Sequence, residues 1–122
     1  MASVALTQDN FENAVNGNEI VIVDFWAPWC GPCRAFAPVF EQVSESHPNI
    51  VFAKVNTEEE QALAAAFQIR SIPTLMIFRE QIIIFSQAGS LPASALEDLI
   101  GRVGELDMDM VRRDIASQQA AS

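Results

Sequence analysis

The sequence FWAPWCGPCR, residues 25–34, contains both cysteines of the 122-residue chain, Cys30 and Cys33. An apolar run rich in Ile and Val, residues 19–27, leads into it, which is typical of a strand buried on both faces. The segment that follows, 31–47, carries Phe and Val at helical spacing. The two cysteines are therefore predicted to lie where a buried strand passes into a helix.

This position favours reversible thiol chemistry. Residues three apart on a helix are neighbours at about 5–6 Å, and a disulfide needs Cα atoms about 4.4–6.8 Å apart. The positive end of a helix stabilises a thiolate, so Cys30 is the candidate attacking thiol and Cys33 the resolving one. Gly31 and Pro32 separate them, and Pro32, which has no N–H to donate, would tune the stability of the reduced pair.

Two other uses of the cysteines are disfavoured. A zinc site needs about four ligands, and the chain offers only two cysteines and one histidine, His47, so we expect no metal. A permanent disulfide across two residues would close too short a loop to stabilise the fold much. A redox-active pair is therefore favoured.

Asp24 interrupts the apolar run just before the cysteines. An ionised carboxylate there would cost several kcal/mol unless it were paired, and burial should raise its pKa. Lys54, in the next strand-like segment, is a candidate partner. A buried carboxyl near the thiols could take the proton of Cys33 and later return it. The alternative is a buried acid with a structural role only.

Pro73 belongs to the sequence SIPT, just before another apolar segment. It could simply begin a strand. It could instead form a cis Ile72–Pro73 bond against the thiol pair, which would leave the backbone of Ile72 free to pair with a substrate. Only about 5–6% of bonds before proline are cis, so these residues alone leave both alternatives open.

The remaining pattern alternates between helices and strands. Thr7 or Asp9 is expected to cap the first helix, and Thr57 the third, with Glu58–Glu60 in its first turn. The last two strands are almost contiguous and must form an antiparallel hairpin. The predicted strands are 3–6, 19–27, 49–57, 74–80 and 82–89, and the predicted helices are 7–15, 31–47, 57–67 and 92–103. Residues 105–116 could form a further short helix, and 117–122 should fray.

Charge and composition exclude several classes of protein. The net charge of −9 should repel nucleic acid and anionic membranes. The sequence has no apolar stretch of about 18 residues, the length that a membrane span requires, and its N-terminus lacks the basic start of a secretory signal. We therefore expect a cytoplasmic protein, a setting in which two cysteines favour redox chemistry over a structural disulfide.

Together, VDFWAPWCGPCR (23–34), Pro38, Lys54, IRSIPT (69–74) and Gly89 resemble the thioredoxin family in order and spacing. The resemblance covers about residues 4–103. It implies the thioredoxin fold, an α/β architecture in which a central mixed sheet of four to five strands has helices on both faces. We expect one domain at 1–103 and a C-terminal extension at 104–122 that is a short helix or partly disordered.

The resemblance also implies an activity. It is that of a protein-disulfide reductase with no bound cofactor, whose Cys30–Cys33 pair is recharged by a thioredoxin reductase that uses NADPH. Its partners would be that reductase and disulfide-containing target proteins. The Gly-Pro pair between the cysteines favours a reductase over an oxidant or isomerase, in which a His is usual there.

Further site residues follow from the resemblance. It implies that the Ile72–Pro73 bond is cis. It also implies a substrate groove lined by Trp29, Ile72, Pro73, Ala88 and Gly89.

Three features depart from the family pattern. The hairpin turn carries Glu80 and Gln81 where a tight primed turn needs φ > 0, which costs about 1 kcal/mol per residue without glycine. The strand that follows begins IIIF (82–85) and is apolar on both faces, with Ile82 and Ile84 expected on one face and Ile83 and Phe85 on the other. The third departure is the tail after residue 103.

An apolar edge strand is an aggregation hazard that proteins usually cover. We expect Leu106, Met110 and Val111 to fold back over residues 82–85 as a short helix, or to dock on a partner or a second copy. A frayed tail is the alternative. These features also leave open a different class of function, a non-catalytic interaction module.

Overall fold

The computed structural model describes residues 2–121. Strands and helices alternate along most of the chain, as the sequence predicts. The strands are β1 Val4–Ala5, β2 Ile20–Trp26, β3 Val51–Asn56, β4 Thr74–Arg79 and β5 Ile82–Ala88. The helices are α1 Phe11–Asn16, α2 Gly31–Glu45, α3 Gln61–Ala66, α4 Ala93–Glu105 and α5 Met108–Ala121.

The five strands form one mixed sheet in the order β1-β3-β2-β4-β5. The central strand β2 is parallel to β3 and antiparallel to β4, and β4 and β5 form the expected hairpin. The register places Asp24 between Lys54 on β3 and Leu75 on β4. The α/β fold with a mixed sheet is therefore confirmed.

The continuous apolar character of β2 is explained by a hydrophobic core on each face of the sheet. Val21, Val23 and Phe25 point to the face covered by α1 and α3. Ile22 points to the opposite face, where Phe36 and other residues of α2 and α4 pack against the sheet. Since both faces of β2 are buried, the chain leaves the middle of the protein at the C-terminal end of β2 and enters α2 soon afterwards.

The third helix begins later than predicted. Helix α3 starts at Gln61, and Glu58 and Glu59 precede it in a turn. Thr57 is not its cap, because its backbone N and its Oγ1 both donate to the carbonyl oxygen of Trp26, at 2.8 and 2.9 Å. A hydroxyl that fastens the turn to β2 in this way is not placed at the helix end, so the predicted cap is wrong.

The cap predicted for the first helix is also wrong. Helix α1 has Asn10, rather than Thr7 or Asp9, at its N-cap position, and no side chain caps it. The Asn10 Oδ1 instead accepts the backbone N–H of Thr7 at 2.7 Å. The side chain therefore stabilises the turn before the helix.

The hairpin has the strained turn that its sequence implies. Glu80 and Gln81 have φ values of 51° and 70°, the left-handed region that favours glycine. The backbone N–H of Glu80 donates to the carbonyl oxygen of Glu19 at 2.8 Å, which ties the turn to the chain just before β2.

A register shift between Ile77 and Phe78 changes which face each side chain of β5 occupies. Phe85 lies opposite Ile77 and packs in the core beneath α2 and α4, whereas Ile83 lies opposite Phe78, whose side chain belongs to the other core. The bulge adds one extra residue to β5, so Ile83 and Phe85 pair with consecutive residues of β4 and point to opposite faces of the sheet. The prediction that Ile83 and Phe85 share a face is therefore wrong. Ile83 remains exposed.

The tail after α4 is helical, but the residue that is buried in it is not one of those predicted to be buried. Met108 is 4% exposed, whereas Met110 is 52% exposed and Leu106 is also exposed; Val111 is half-buried. The predicted fold-back is therefore wrong for Leu106 and Met110. Fraying of 117–122 is wrong up to Ala121, where α5 ends, and Ser122 lies outside the described residues.

Two arginines connect the tail to the hairpin. Arg79, at the end of β4, donates from one guanidinium nitrogen to the carbonyl oxygens of Val103 and Leu106, at 2.7 and 2.9 Å. Arg112, on α5, donates to Glu80 in the strained turn and to Asp109. Arg79 thus gives a partner to the Leu106 carbonyl just after α4 and a second donor to the Val103 carbonyl, which also accepts the Leu106 N–H. It ties the end of α4 to β4.

We predict that Gln81→Gly stabilises the oxidised protein by about 0.5–1 kcal/mol, because glycine removes the strain at φ 70°. Urea unfolding measures the change. Gln87→Gly, within the adjoining strand β5, is the matched control and should destabilise the protein. Equal losses of stability in the two variants would contradict the strained turn.

We also predict that Met108→Ala destabilises the protein by about 2 kcal/mol or more, because it removes a buried side chain. Met110→Ala, two residues further on the same helix, should change the free energy of unfolding by no more than about 0.5 kcal/mol. Urea unfolding of both variants tests this, and a larger loss in Met110→Ala would mean that the tail is anchored by its other face.

Candidate active site

The two cysteines form a disulfide at the start of α2. Their Cα atoms lie 5.2 Å apart, within the range that a disulfide needs. Cys30 is the N-cap residue, and its Sγ accepts the backbone N–H of Cys33 at 3.2 Å. Gly31 and Pro32 make the first turn and are exposed. The missing N–H of Pro32 leaves no gap there, because first-turn N–H groups have no partner within the helix.

Both sulfur-bearing side chains are buried in the disulfide form. Cys30 is 4% exposed and Cys33 is 2% exposed. They cluster with Ala27, and Trp26 and Ile72 pack against them. Cys30 is thus only slightly the more accessible of the two, and a partner must approach over the groups that surround it.

The Ile72–Pro73 bond is cis and lies beside the disulfide. The carbonyl oxygen of Ile72 is 3.7 Å from the Sγ of Cys30. On the other side, the N–H of Gly89 donates to the carbonyl oxygen of Pro73 at 2.7 Å. Gly89 has a φ of 106°, which side chains rarely tolerate. The cis bond is therefore confirmed, and glycine at 89 allows the chain to reach it.

Ala88 and Trp29 are the other residues expected to line a groove. Ala88 is exposed and lies opposite Thr74, the residue after Pro73, in the β4–β5 ladder. Trp29 precedes Cys30 and is 66% exposed. Its indole N–H donates to the carboxylate of Glu58.

Sequence reasoning missed Glu58 as a site residue. The acidic run that contains it has the pattern of a helix start, which explains these residues without any role in a site. Twenty-nine positions separate Glu58 from Trp29. The only hint was that the run follows directly after the strand-like segment of Lys54, the candidate partner of Asp24.

Asp24 is fully buried, and neither carboxylate oxygen has a hydrogen-bond partner among the described residues. Lys54 lies opposite it on β3, but its Nζ is 4.8 Å from the centre of the Trp26 ring, a cation–π contact. Burial raises the pKa of Asp24 to about 7, and the positive charge of Lys54 opposes that rise. The expected direction of the shift is therefore confirmed.

Within residues 2–121, no three side chains of His, Cys, Asp or Glu converge in a way that could hold a metal ion. The same part of the chain has no helix that is both long enough and apolar enough to cross a membrane.

Comparisons with known proteins agree on one family. The thioredoxin family model matches residues 2–102. A Streptomyces coelicolor protein named "Putative thioredoxin 2" is 55% identical over 119 residues, which cover 98% of this chain and 89% of that protein. A thioredoxin from Porphyra purpurea is 40% identical over 104 residues, covering 84% of this chain and 97% of its own.

A solved structure gives the same result for the fold. A mutant thioredoxin from Halobacterium salinarum superposes with a TM-score of 0.77 at 34% identity, covering 86% of this chain and 92% of its own. The mixed sheet and the Cys-x-x-Cys disulfide at a helix start define a class of redox proteins. The chain belongs to the thioredoxin family, and it is a thiol–disulfide oxidoreductase.

We predict that Asp24→Asn stabilises the oxidised protein in a pH-dependent way. Because the folded pKa is about 7 and the ordinary value is 3.8, ionisation of Asp24 opposes folding. The wild type should therefore lose stability relative to the variant as pH rises from about 4 to 7, with the difference levelling off above that. At about 1.36 kcal/mol per pKa unit, the plateau is about 4 kcal/mol.

Urea unfolding of both proteins between pH 4 and 8 measures this difference. Asn resembles the protonated carboxyl in size and polarity, so the two proteins should be nearly equally stable at pH 4. A difference that stays constant over this range would contradict the raised pKa.

Proposed function

We propose that this protein reduces disulfides in other proteins by dithiol–disulfide exchange through Cys30 and Cys33. The observation that supports this most is the placement of the Cys30 sulfur. It lies at the N-cap of α2, 3.2 Å from the Cys33 backbone nitrogen, and 3.7 Å from the carbonyl oxygen beside a cis proline. A helix N-terminus of this kind stabilises the thiolate, which is the nucleophile in disulfide exchange.

The reaction proceeds in two exchanges. In the reduced protein, the Cys30 thiolate attacks one sulfur of the substrate disulfide, forming a mixed disulfide and releasing the first substrate thiolate, which takes up a proton. Cys33 then loses its proton and attacks the Cys30 sulfur. The Cys30–Cys33 bond forms, the bond to the substrate breaks, and the second substrate sulfur leaves as a thiolate, which takes up a proton. Two electrons pass from the cysteine pair to the substrate.

Asp24 is the proton acceptor for Cys33 in this proposal. With a pKa of about 7, the carboxyl exchanges protons readily near neutral pH. Its oxygens have no hydrogen-bond partner among the described residues that would hold them in one state. Lys54 supports this role, because its positive charge opposes the rise in the pKa of Asp24.

The substrate is an extended peptide segment that carries the disulfide. It pairs with the backbone of Ile72 at the cis bond and lies between Trp29 on one side and Ala88 with Gly89 on the other. Gly31 and Pro32 leave the approach to the sulfur open, since both are exposed and carry no bulky polar group. Pro73 holds the Ile72 carbonyl toward Cys30.

Regeneration requires an external two-electron donor. We propose a thioredoxin reductase that uses NADPH, so that the protein itself binds no cofactor and acts in the cytoplasm.

Residues 1–103 form the redox domain and 104–122 an extension. Contact with a partner or a second copy through residues 82–85 and the tail is consistent with the exposure of Ile83. The acidic chain does not act on nucleic acid or membranes.

Substituting the cysteines tests the order of attack. Cys33→Ser should accumulate a mixed disulfide with a protein substrate, because Cys30 can attack but nothing resolves the product. Cys30→Ser should form almost none, and turnover should be lost in both variants. Non-reducing electrophoresis measures the adduct after incubation with insulin. A mixed disulfide trapped by Cys30→Ser instead would mean that Cys33 attacks and Cys30 resolves. A variant without both cysteines that keeps the biological function of the protein would favour a non-catalytic interaction module.

A further inference from the structure

Trp29 is the most exposed large apolar side chain among the described residues, at 66%, and it lies next to Cys30. An exposed ring normally samples several rotamers, and binding a partner then costs the entropy of fixing it. Here the indole N–H donates to a carboxylate oxygen of Glu58. A hydrogen bond to an ionised acceptor is stronger than one between neutral groups, so the ring is held before any substrate arrives.

The turn that carries Glu58 is itself tightly fastened. Thr57 donates twice to the carbonyl oxygen of Trp26, from its N–H at 2.8 Å and its Oγ1 at 2.9 Å. The N–H of Glu58 donates to Asn56 Oδ1 at 2.9 Å, and Gln61 donates to the Glu58 carbonyl oxygen at 3.2 Å. The carboxylate is therefore positioned by the end of β2, only three residues before the tryptophan that it holds.

We propose that Glu58 is a positioning residue that fixes the Trp29 ring as a contact surface for peptide segments, and thereby favours protein disulfides over small disulfides. The inference deepens the proposed function and rests on it. A small disulfide needs only to reach the Cys30 sulfur. A protein segment also covers the surface around it, so only the larger substrate gains from a ring that is already in place.

Glu59 provides a matched control. It follows Glu58 in the same turn, is exposed and carries the same charge, but no hydrogen bond or ion pair of its side chain occurs among the described residues. Substitution of Glu59 therefore reports what the loss of one negative charge does by itself. Glu58→Gln retains an oxygen that can accept the indole N–H, while Glu58→Ala retains none.

The experiment measures second-order rate constants for the pre-reduced protein with insulin and with the small neutral disulfide hydroxyethyl disulfide. Acid quenching and thiol counting follow each reaction, so no reductase is needed. For Glu58→Ala, the ratio of the insulin to the small-disulfide rate constant should fall about three- to tenfold, the loss expected for one hydrogen bond. Glu58→Gln should restore most of the ratio, and Glu59→Ala should leave it as in the wild type.

A double-mutant cycle tests whether the effect passes through the ring nitrogen. Trp29→Phe removes the N–H, so Glu58→Ala should add no further loss of the insulin rate in that background. In ¹⁵N-labelled protein, the Trp29 indole proton, identified by its absence in Trp29→Phe, should exchange faster in Glu58→Ala than in Glu58→Gln.

The outcomes separate the two proposals. Equal ratios for Glu58→Ala and Glu59→Ala would overturn the role of Glu58, as would losses that multiply in the double variant. A wild type that reacts with the small disulfide but not with insulin would overturn the proposed reduction of protein disulfides, and the inference with it. A wild type whose thiols react with neither disulfide would overturn the proposed function itself.

Discussion

The sulfur of Cys30 has three close neighbours: its disulfide partner, the backbone nitrogen of Cys33 at 3.2 Å, and the carbonyl oxygen of Ile72 at 3.7 Å. The first two come from the first turn of α2 and the third from the chain just before β4. The arrangement requires β2 and β4 to be adjacent, which the central position of β2 ensures. The sheet order therefore brings the parts of the site together. The sulfur atom of Cys30 both caps α2 and takes part in the disulfide exchange.

Placing the site at the end of the central strand has an energetic cost. Asp24 lies in that strand, fully buried and with neither oxygen hydrogen-bonded among the described residues. The ionised form of such a group destabilises the fold, but its raised pKa suits proton exchange at neutral pH. At the opposite end of the sheet, the strained turn at Glu80 and Gln81 is tied to the start of β2 through Glu19 and to α5 through Arg112.

Local patterns in the sequence predicted much of this. Three of these features depend on only a few neighbouring residues: the apolar run of β2, the spacing of the cysteines and the lack of glycine at residues 80–81. The sheet, the redox pair and the positive φ values could therefore be predicted. The cis bond could not be chosen from local residues, because its evidence is the family resemblance. Asp24 was recognisable because a charge within an apolar run is rare.

The features that were missed depend on contacts between distant residues. The bulge that separates the faces of Ile83 and Phe85 is set by pairing with β4. Thr57 has a good cap sequence, but its hydroxyl is engaged by β2. Periodicity alone could not tell Met108 from Met110 as the anchor of the tail. Likewise, nothing near Glu58 in sequence indicates that it holds an indole ring.

In the proposed reaction, the Cys30–Cys33 pair carries electrons to protein disulfides. The most direct measurement is insulin reduction by the wild-type protein in the presence of NADPH and a thioredoxin reductase, followed by NADPH absorbance. We expect NADPH consumption that requires both insulin and this protein, and that rises in proportion to the protein concentration. If the protein is fully reduced by dithiothreitol, and the reductase regenerates its thiols, yet insulin causes no NADPH consumption, the protein is not a carrier of electrons to protein disulfides.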